Sequence, residues 1–373
     1  MSVITDHLSA VRARTLDLLA PFADDFLTAQ HSPLMSPLAW DLAHIANYED
    51  QWLVRALGGE GVGPQHDDLY DAFRHPRADR PSLPLLSPSR ARAYADEVRE
   101  RAMTLLDGNA ARATDPRLLD DGFVYGMVIQ HEHQHDETML ATLQLSGTAV
   151  ARDGRGPRCT TATGDMLLID GGPCVIGTSS EPWAYDNERP EHKVDVAPFR
   201  IDSSPVTNSA YDAFIADGGY DDERLWHAEG WRWRIGEGAT APLFWQNDGC
   251  VLRFGERVER NGDEPVQHVS WYEADAFARW SGRRLPTEVE WERAAPPDAG
   301  QVWEWTSSSF AAWRGFESFP YREYSEVFFG PDYKVLRGGS WATHAPAIRP
   351  TFRNWDYPIR RQIFSGFRCA QDA

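Results

Sequence analysis

The residues best suited to chemistry in this 373-residue chain lie in one short run, MVIQHEHQHDETML, where His131 and His135 are four positions apart. On a helix that spacing separates two side chains by roughly 40°, so both imidazoles project from one face, near enough to share a metal ion. His133 points elsewhere. A third imidazole comes from His44 in PLAWDLAHIANYEDQW, where surrounding apolar residues turn it inward if the segment is a helix begun at Pro37. Three neutral imidazoles facing one point leave coordination positions open, as a catalytic metal requires and a structural one does not. Taken singly, each histidine also reads as a hydrogen-bonded core or surface residue, and for His44 alone that is the better account. Residue type does not choose among zinc, iron, copper and nickel, all of which imidazole suits. HEHQH also fits the HExxH pattern of zinc peptidases, whose intervening glutamate, here Glu132, acts as general base toward a metal-bound water. No third ligand follows at a peptidase-like spacing.

Helices must hold these side chains, and the first 148 residues show helical apolar spacing. Ser36-Pro37 and Ser87-Pro88 both read as an N-cap followed by proline at the first helical position, where its missing N–H is not needed. Two further helices are expected near residues 3–20 and 121–146, the last ending close to Gly147 as a C-terminal glycine allows. Residues 1–148 therefore read as a four-helix bundle. Residues 149–164, AVARDGRGPRCTTATG, lose all periodicity and read as a linker. From 165 to 373 the texture changes to α+β with much coil: thirteen of the fifteen tryptophans follow residue 150, among Gly, Pro, Asn and Asp turns and strand-like runs such as MLLID. Two short helices announce themselves by capping boxes, Ser270-x-x-Glu273 before WYEADAFARW and Thr287-x-x-Glu290 before WERAA.

A length of 373 residues fits two domains, each large enough for its own core. The formal charge of -19 repels phosphate backbones and anionic lipid surfaces, so no nucleic-acid or membrane partner is expected and small molecules are favoured. Cys159, Cys174, Cys250 and Cys369 lie far apart with no CxxC pair, which argues against a cysteine zinc site or a disulfide framework and fits a reducing, cytoplasmic setting. Asp6 and His7 stand where a secretory signal needs a basic start and an apolar core. The chain is expected to act as a monomer.

LPTEVEWERAA, VWEWTSSSF, VLRGGSWAT and SGFR, in that order, resemble the formylglycine-generating, sulfatase-modifying fold, a relative of C-type lectin domains. The glycines of RGGSW permit tight turns, and Arg337 and Arg368 are suited to tying loops together through planar, multi-donor hydrogen bonding. Formylglycine generation needs a reactive cysteine pair late in the domain, and only Cys369 stands there. A histidine-bearing, DinB-like four-helix bundle followed by such a domain is similar to the ergothioneine-biosynthetic sulfoxide synthases, the hercynine oxygenases. SPLMSPLAWDLAHI, LYDAFRHPRADRPSLPLLSP, HEHQHDETM, FPYREYSEVFFG and RPTFRNWDYPIRRQIFSGFR resemble the actinobacterial branch of that family that uses γ-glutamylcysteine.

The resemblance implies iron(II) on His44, His131 and His135, with hercynine, γ-glutamylcysteine and O2 as substrates and a sulfoxide as product. By motif, Arg77, Arg80 and Asp356 match positions that hold the thiol substrate, whose two carboxylates and one ammonium suit two arginines and one aspartate. Asn354 and Trp355 match contacts to hercynine, the indole suiting a trimethylammonium group. Gln134 is implied to support the last ligand, Tyr324 to touch substrate, and Tyr321 to be the catalytic tyrosine supplying a proton or hydrogen atom. In isolation the arginines read as surface charge and the tyrosines as packed aromatics. One departure is the short PPDAGQ between WERAA and VWEWT, where relatives carry more; either a loop has been lost or a disordered region is absent from the numbered sequence. Two other functions fit parts of the pattern. One is a zinc-dependent hydrolase or thiol transferase on the same histidines; the other is a binding module of lectin-like fold, which has no use for an open metal site.

Overall fold

The computed structural model describes residues 2–108, 111–149, 156–159 and 165–373, so most of the stretch 149–164 expected to be a linker lies outside the described residues. Two compact units result, Met1–Thr148 and Ala149–Ala373.

The first unit is helical: α1 (Ser2–Leu19), a short α2 (Asp24–Thr28), α3 (Leu38–Glu49), α4 (Pro88–Asp107) and α5 (Phe123–Ser146). Local signals explain most of the ends. Ser87 caps α4 by accepting from the Arg90 N–H, with Pro88 at the first helical position. Gly147 ends α5 with φ 66°, a left-handed conformation that glycine adopts without strain. Ser36 does not follow the expected pattern. Pro37 flanks the start of α3 with no side-chain cap, because the Ser36 hydroxyl accepts instead from Arg80 Nη1 at 2.5 Å. Beyond Glu49 the helix widens into a π turn, Asp50–Arg55. α3 packs on α4 and α5, and α1 packs on α5.

Ion pairs at the centre of this unit set how the helices are rotated. Arg12 of α1 bonds Glu132 of α5 and Glu49 of α3, each at 2.7 Å, and Arg99 of α4 bonds the same two carboxylates at 2.9 and 2.5 Å. The Thr15 hydroxyl lies 2.9 Å from Glu132 and 2.8 Å from Asp136. Both glutamates are fully buried, so each charge depends on its partners.

Among its described residues, the second unit is built from four small sheets and four short helices. Strands β1 (Met166–Ile169), β2 (Gly172–Ile176), β3 (His192–Val196) and β4 (Phe199–Asp202) come first, then helices α6 (Asn208–Ala216) and α7 (Ala228–Glu237). The hairpin β5 (Cys250–Arg253) and β6 (Glu256–Glu259) precedes α8 (Trp271–Trp280) and α9 (Glu288–Ala294). The remaining strands are β7 (Trp303–Ser309), β8 (Lys334–Arg337), β9 (Asn354–Asp356), β10 (Ser365–Gly366) and β11 (Ala370–Asp372). The largest sheet has the order β10-β7-β8-β9, parallel at its first pair and antiparallel elsewhere; β1-β4-β11 is antiparallel, and β2-β3 and β5-β6 are two-stranded.

Both capping boxes are formed, Ser270 with Glu273 at α8 and Thr287 with Glu290 at α9. α6 and α7 lack that signature; Thr207 and His227 cap them through side chains alone. Much of the coil is pinned by buried arginines. Arg353 bonds both oxygens of Glu288 and the carbonyls of Asn187 and Ala311, and Arg368 joins Glu304, Asp298 and the Asp202 carbonyl. Arg337 reaches Glu288, Glu292 and the Pro350 carbonyl. The short PPDAGQ connection closes between α9 and β7, and its Asp298 is one of the ligands of Arg368.

Arg12→Ala leaves Glu49 and Glu132 short of a counter-charge in the core and should cost about 3–5 kcal/mol of stability, read from urea unfolding followed by circular dichroism. Burial raises the Glu132 pKa, but Arg12 and Arg99 outweigh it and hold the carboxyl below its ordinary 4.5. A depressed carboxyl stabilises fully above the unfolded value and loses that contribution as pH falls, so the gap between wild type and Arg12→Ala should narrow below about pH 4.5.

Candidate functional site

α5 carries two stripes of polar residues, each spaced i, i+4. Glu132 and Asp136 face the ion network, and one residue earlier, about 100° around the helix, lie His131 and His135. That rotation brings them to His44 of α3. One ligand atom from each of the three histidines lies within 4.8 Å of the other two, and this is the one metal-capable group found among the described residues. Ring centroids are 5.1 Å apart for His44 and His131, 4.7 Å for His44 and His135, and 4.6 Å for His131 and His135.

Each ring is oriented by neighbours. His44 Nδ1 is 2.7 Å from the Tyr70 carbonyl, which fixes the proton on Nδ1 and leaves Nε2 as the lone-pair donor. His135 Nδ1 is 3.1 Å from Asp41 Oδ1, a carboxylate that orients the ring. Trp40 stacks on His44 at 4.7 Å and Tyr48 on His131 at 3.7 Å. Burial, and then the neighbouring His135, push His44 and His131 well below the ordinary imidazole range, so both are neutral. Neutral imidazole is the ligand form. Asp41 Oδ2 and His131 Nδ1 are buried with no hydrogen-bond partner among the described residues, so the donor set has capacity that an ion and its ligands would take up. The residues fit a catalytic metal with open positions.

The geometry disfavours the peptidase pattern. Glu132, which would have to be the general base, is completely buried with both oxygens bonded to Arg12 and Arg99. His133 is outside the cluster, 3.7 Å from Asp136, and burial lowers its pKa to about 4.

Arg77 and Arg80 share the 3-10 segment Arg77–Ser82 but differ in setting. Arg77 is half-buried and donates to the Leu34 carbonyl at 2.9 Å. Arg80 is buried, donates to Ser36 and to the carbonyls of His75 and Ala72, and lies 3.6 Å over the Trp40 ring. Those bonds use three of its five N–H groups. Burial lowers its pKa to about 10, still cationic at neutral pH. Gln134 is half-buried on α5.

In the second unit, Tyr321, Tyr324 and Trp355 form one aromatic cluster: Tyr321 is 6.3 Å from Tyr324, which is edge-on to Trp355 at 5.8 Å. Phe310 stacks on Trp355 at 4.1 Å and Tyr185 on Tyr324 at 4.0 Å. Asn354, Trp355 and Asp356 are the three residues of edge strand β9, whose alternation puts Asn354 and Asp356 on one face and Trp355 on the other. Asp356 lies 3.5 Å from Arg360. Sequence reasoning missed Asp41, although its place three residues before His44 on an inward helix face was a usable signal.

Comparison with known proteins agrees with this division. Residues 7–139 match the DinB superfamily, and residues 153–300 and 297–373 match the sulfatase-modifying factor enzyme 1-like domain. The chain is 45% identical over 429 aligned residues to the hercynine oxygenase of Mycolicibacterium smegmatis, covering 99% of this chain and 98% of that protein. It is 46% identical to the hercynine oxygenase of Mycobacterium tuberculosis, covering 98% of each. The formylglycine-generating enzyme of Streptomyces coelicolor is 30% identical, covering 63% of this chain and 97% of that protein. The architecture is therefore a DinB-type helical domain followed by a sulfatase-modifying-factor-type domain with mixed sheets. Cys369 sits fully buried with its thiol pKa pushed up by burial, the reverse of an activated cysteine. Among the described residues no helix is long and apolar enough to cross a membrane.

Asp41→Asn should weaken binding of iron(II) or zinc(II) about 10–100-fold, the usual loss when the carboxylate behind a histidine ligand is removed. Anaerobic titration against a chromophoric chelator measures this; an affinity equal to wild type would show that Asp41 does not support the ligand.

Proposed function

This chain belongs to the hercynine oxygenase family, and on that premise we propose that it is an iron(II)-dependent sulfoxide synthase of ergothioneine biosynthesis. Its reaction joins the sulfur of γ-glutamylcysteine to C2 of the hercynine imidazole with O2, giving γ-glutamyl-hercynylcysteine sulfoxide. The observation that carries this reading is the convergence of His44, His131 and His135 in a chain similar to hercynine oxygenases over nearly its whole length.

The stoichiometry closes. One C–H and one S–H bond are lost, one C–S and one S–O bond are formed, and O2 accepts four electrons, ending as the sulfoxide oxygen and one water. Iron(II), when bound, supplies the redox capacity that this needs and that zinc lacks, and brings the reactants together.

The remaining roles belong to the chain. His44, His131 and His135 hold the ion, with Tyr70 and Asp41 fixing two of the rings. Arg77 and Arg80 take the carboxylates of γ-glutamylcysteine and Asp356 its ammonium; the N–H groups of Arg80 not taken by Ser36, His75 and Ala72 are the donors for this. Trp355, with Asn354, meets hercynine, the aromatic cluster suiting a quaternary ammonium ion. Gln134 supports His135, Tyr324 contacts substrate, and Tyr321 Oη delivers a proton during oxygen reduction.

Anaerobic loading with iron(II), then hercynine, γ-glutamylcysteine and air, should give a hercynyl sulfoxide conjugate by mass spectrometry. Oxygen consumption without conjugate would reject the thiol assignment, and tight zinc binding without oxygen consumption would favour a hydrolase or transferase. Tyr321→Phe should suppress the sulfoxide and shift turnover toward simple thiol oxidation; an unchanged product ratio removes Tyr321 from its role. Arg77→Ala should raise KM for the thiol about tenfold or more, as expected for a lost charge-assisted hydrogen bond, and leave KM for hercynine unchanged. Equal effects on both substrates would make Arg77 structural.

A further inference from the structure

Tyr321 and Tyr324 lie on a surface segment with little regular structure of its own, two single 3-10 turns at Arg322–Tyr324 and Glu326–Phe328. One carboxylate closes it. The Phe319 N–H donates to Asp186 Oδ2 at 3.2 Å and the Ser325 hydroxyl donates to Asp186 Oδ1 at 2.6 Å, so residues 319–325 form a loop tied at both ends with both tyrosines inside it. Ser325 is fully buried and Asp186 nearly so. The residue before Asp186 holds the same loop, because Tyr185 stacks on Tyr324.

The turn bearing Asp186 is itself held by hydrogen bonds. The Tyr185 N–H donates to Glu188 Oε1 at 2.9 Å, and Glu188 accepts from Arg349 Nε at 2.8 Å and from the Thr351 hydroxyl at 2.7 Å. Asp186 itself has no cationic partner among the described residues. A buried carboxylate without a counter-ion is unfavourable for stability, and burial raises its pKa to about 6. Its two oxygens are engaged instead by the Phe319 N–H and the Ser325 hydroxyl, so the carboxylate's work in the fold is to tie this loop.

We propose that Asp186 is a positioning residue that holds the 319–325 loop so that Tyr321 is correctly aimed, and that it thereby controls the partition between conjugate formation and simple thiol oxidation. The inference rests on the role proposed above for Tyr321.

Hydrogen exchange on the metal-free chain and product ratios on the iron-loaded chain test it together. In Asp186→Asn, amides of the 319–325 segment should exchange about tenfold faster, the scale of one lost hydrogen bond to a charged group, and the product ratio should shift toward oxidised thiol. Ser325→Ala keeps the carboxylate and removes one bond, so it should shift both readouts in the same direction by less, and it decides the question if Asp186→Asn fails to fold. Adding Asp186→Asn to Tyr321→Phe should not move the ratio beyond that of Tyr321→Phe alone, because Asp186 acts through the tyrosine. If both products fall in proportion, or loop exchange is unchanged, in Asp186→Asn and Ser325→Ala while Tyr321→Phe shifts the ratio, the proposal is overturned alone. If Tyr321→Phe leaves the ratio unchanged, the reading beneath it fails first.

Discussion

The rotation of α5 about its own axis is the constraint on which the helical unit depends. Glu132 and Asp136 cannot be buried without partners, and those partners, Arg12, Thr15 and Arg99, stand on α1 and α4. Once that stripe faces the ion network, the stripe one residue earlier must face α3. His131 and His135 then have no choice of side, and His44 meets them there. Stability and site are thus two outcomes of one helical periodicity. Glu49 extends the same logic to α3, since it joins the network five residues after His44.

The arrangement also separates two kinds of polar burial. In the network, charges face opposite charges and every glutamate oxygen is bonded. At the histidines, His44 and His131 are neutral because burial and the neighbouring His135 oppose protonation, and the Nδ1 atoms of His44 and His135 are directed toward Tyr70 and Asp41. An oriented, incompletely partnered cluster of imidazoles suits a metal, whereas a saturated ion network suits only the fold. Glu132 belongs to the second kind despite sitting in an HExxH pattern, and this separates the centre from that of a peptidase.

The second unit meets a different difficulty: short strands, short helices and long coil supply few regular hydrogen bonds. Arginines whose planar forks reach two or three segments at once supply the missing order, as Arg353 does between Glu288, Asn187 and Ala311. Asp186 performs the corresponding task with a carboxylate, reaching two points of one loop. Rigid scaffolds of this kind allow loops to carry chemistry without regular secondary structure.

Features that depend on neighbours within one helical turn were legible in the sequence. The i, i+4 pair His131 and His135, the Ser87 cap, the Gly147 stop and the two capping boxes all depend on contacts spanning four residues or fewer, where chain geometry alone settles who meets whom. Ser36 shows where such reasoning ends: its type and position suited a cap, but Arg80, 44 residues away, took the hydroxyl. The same distance hides the pairing of Asp41 with His135, 94 residues apart, and of Asp186 with Ser325, 139 apart. The sequence by itself determined the helical and irregular halves, the local caps and the inward histidine pair. Only the tertiary structure decided which side of α5 faces α3, which glutamate is locked away from the histidine cluster, and which carboxylates bond a histidine or a loop. Those choices depend on packing between distant segments, and local pattern carries no record of the partner.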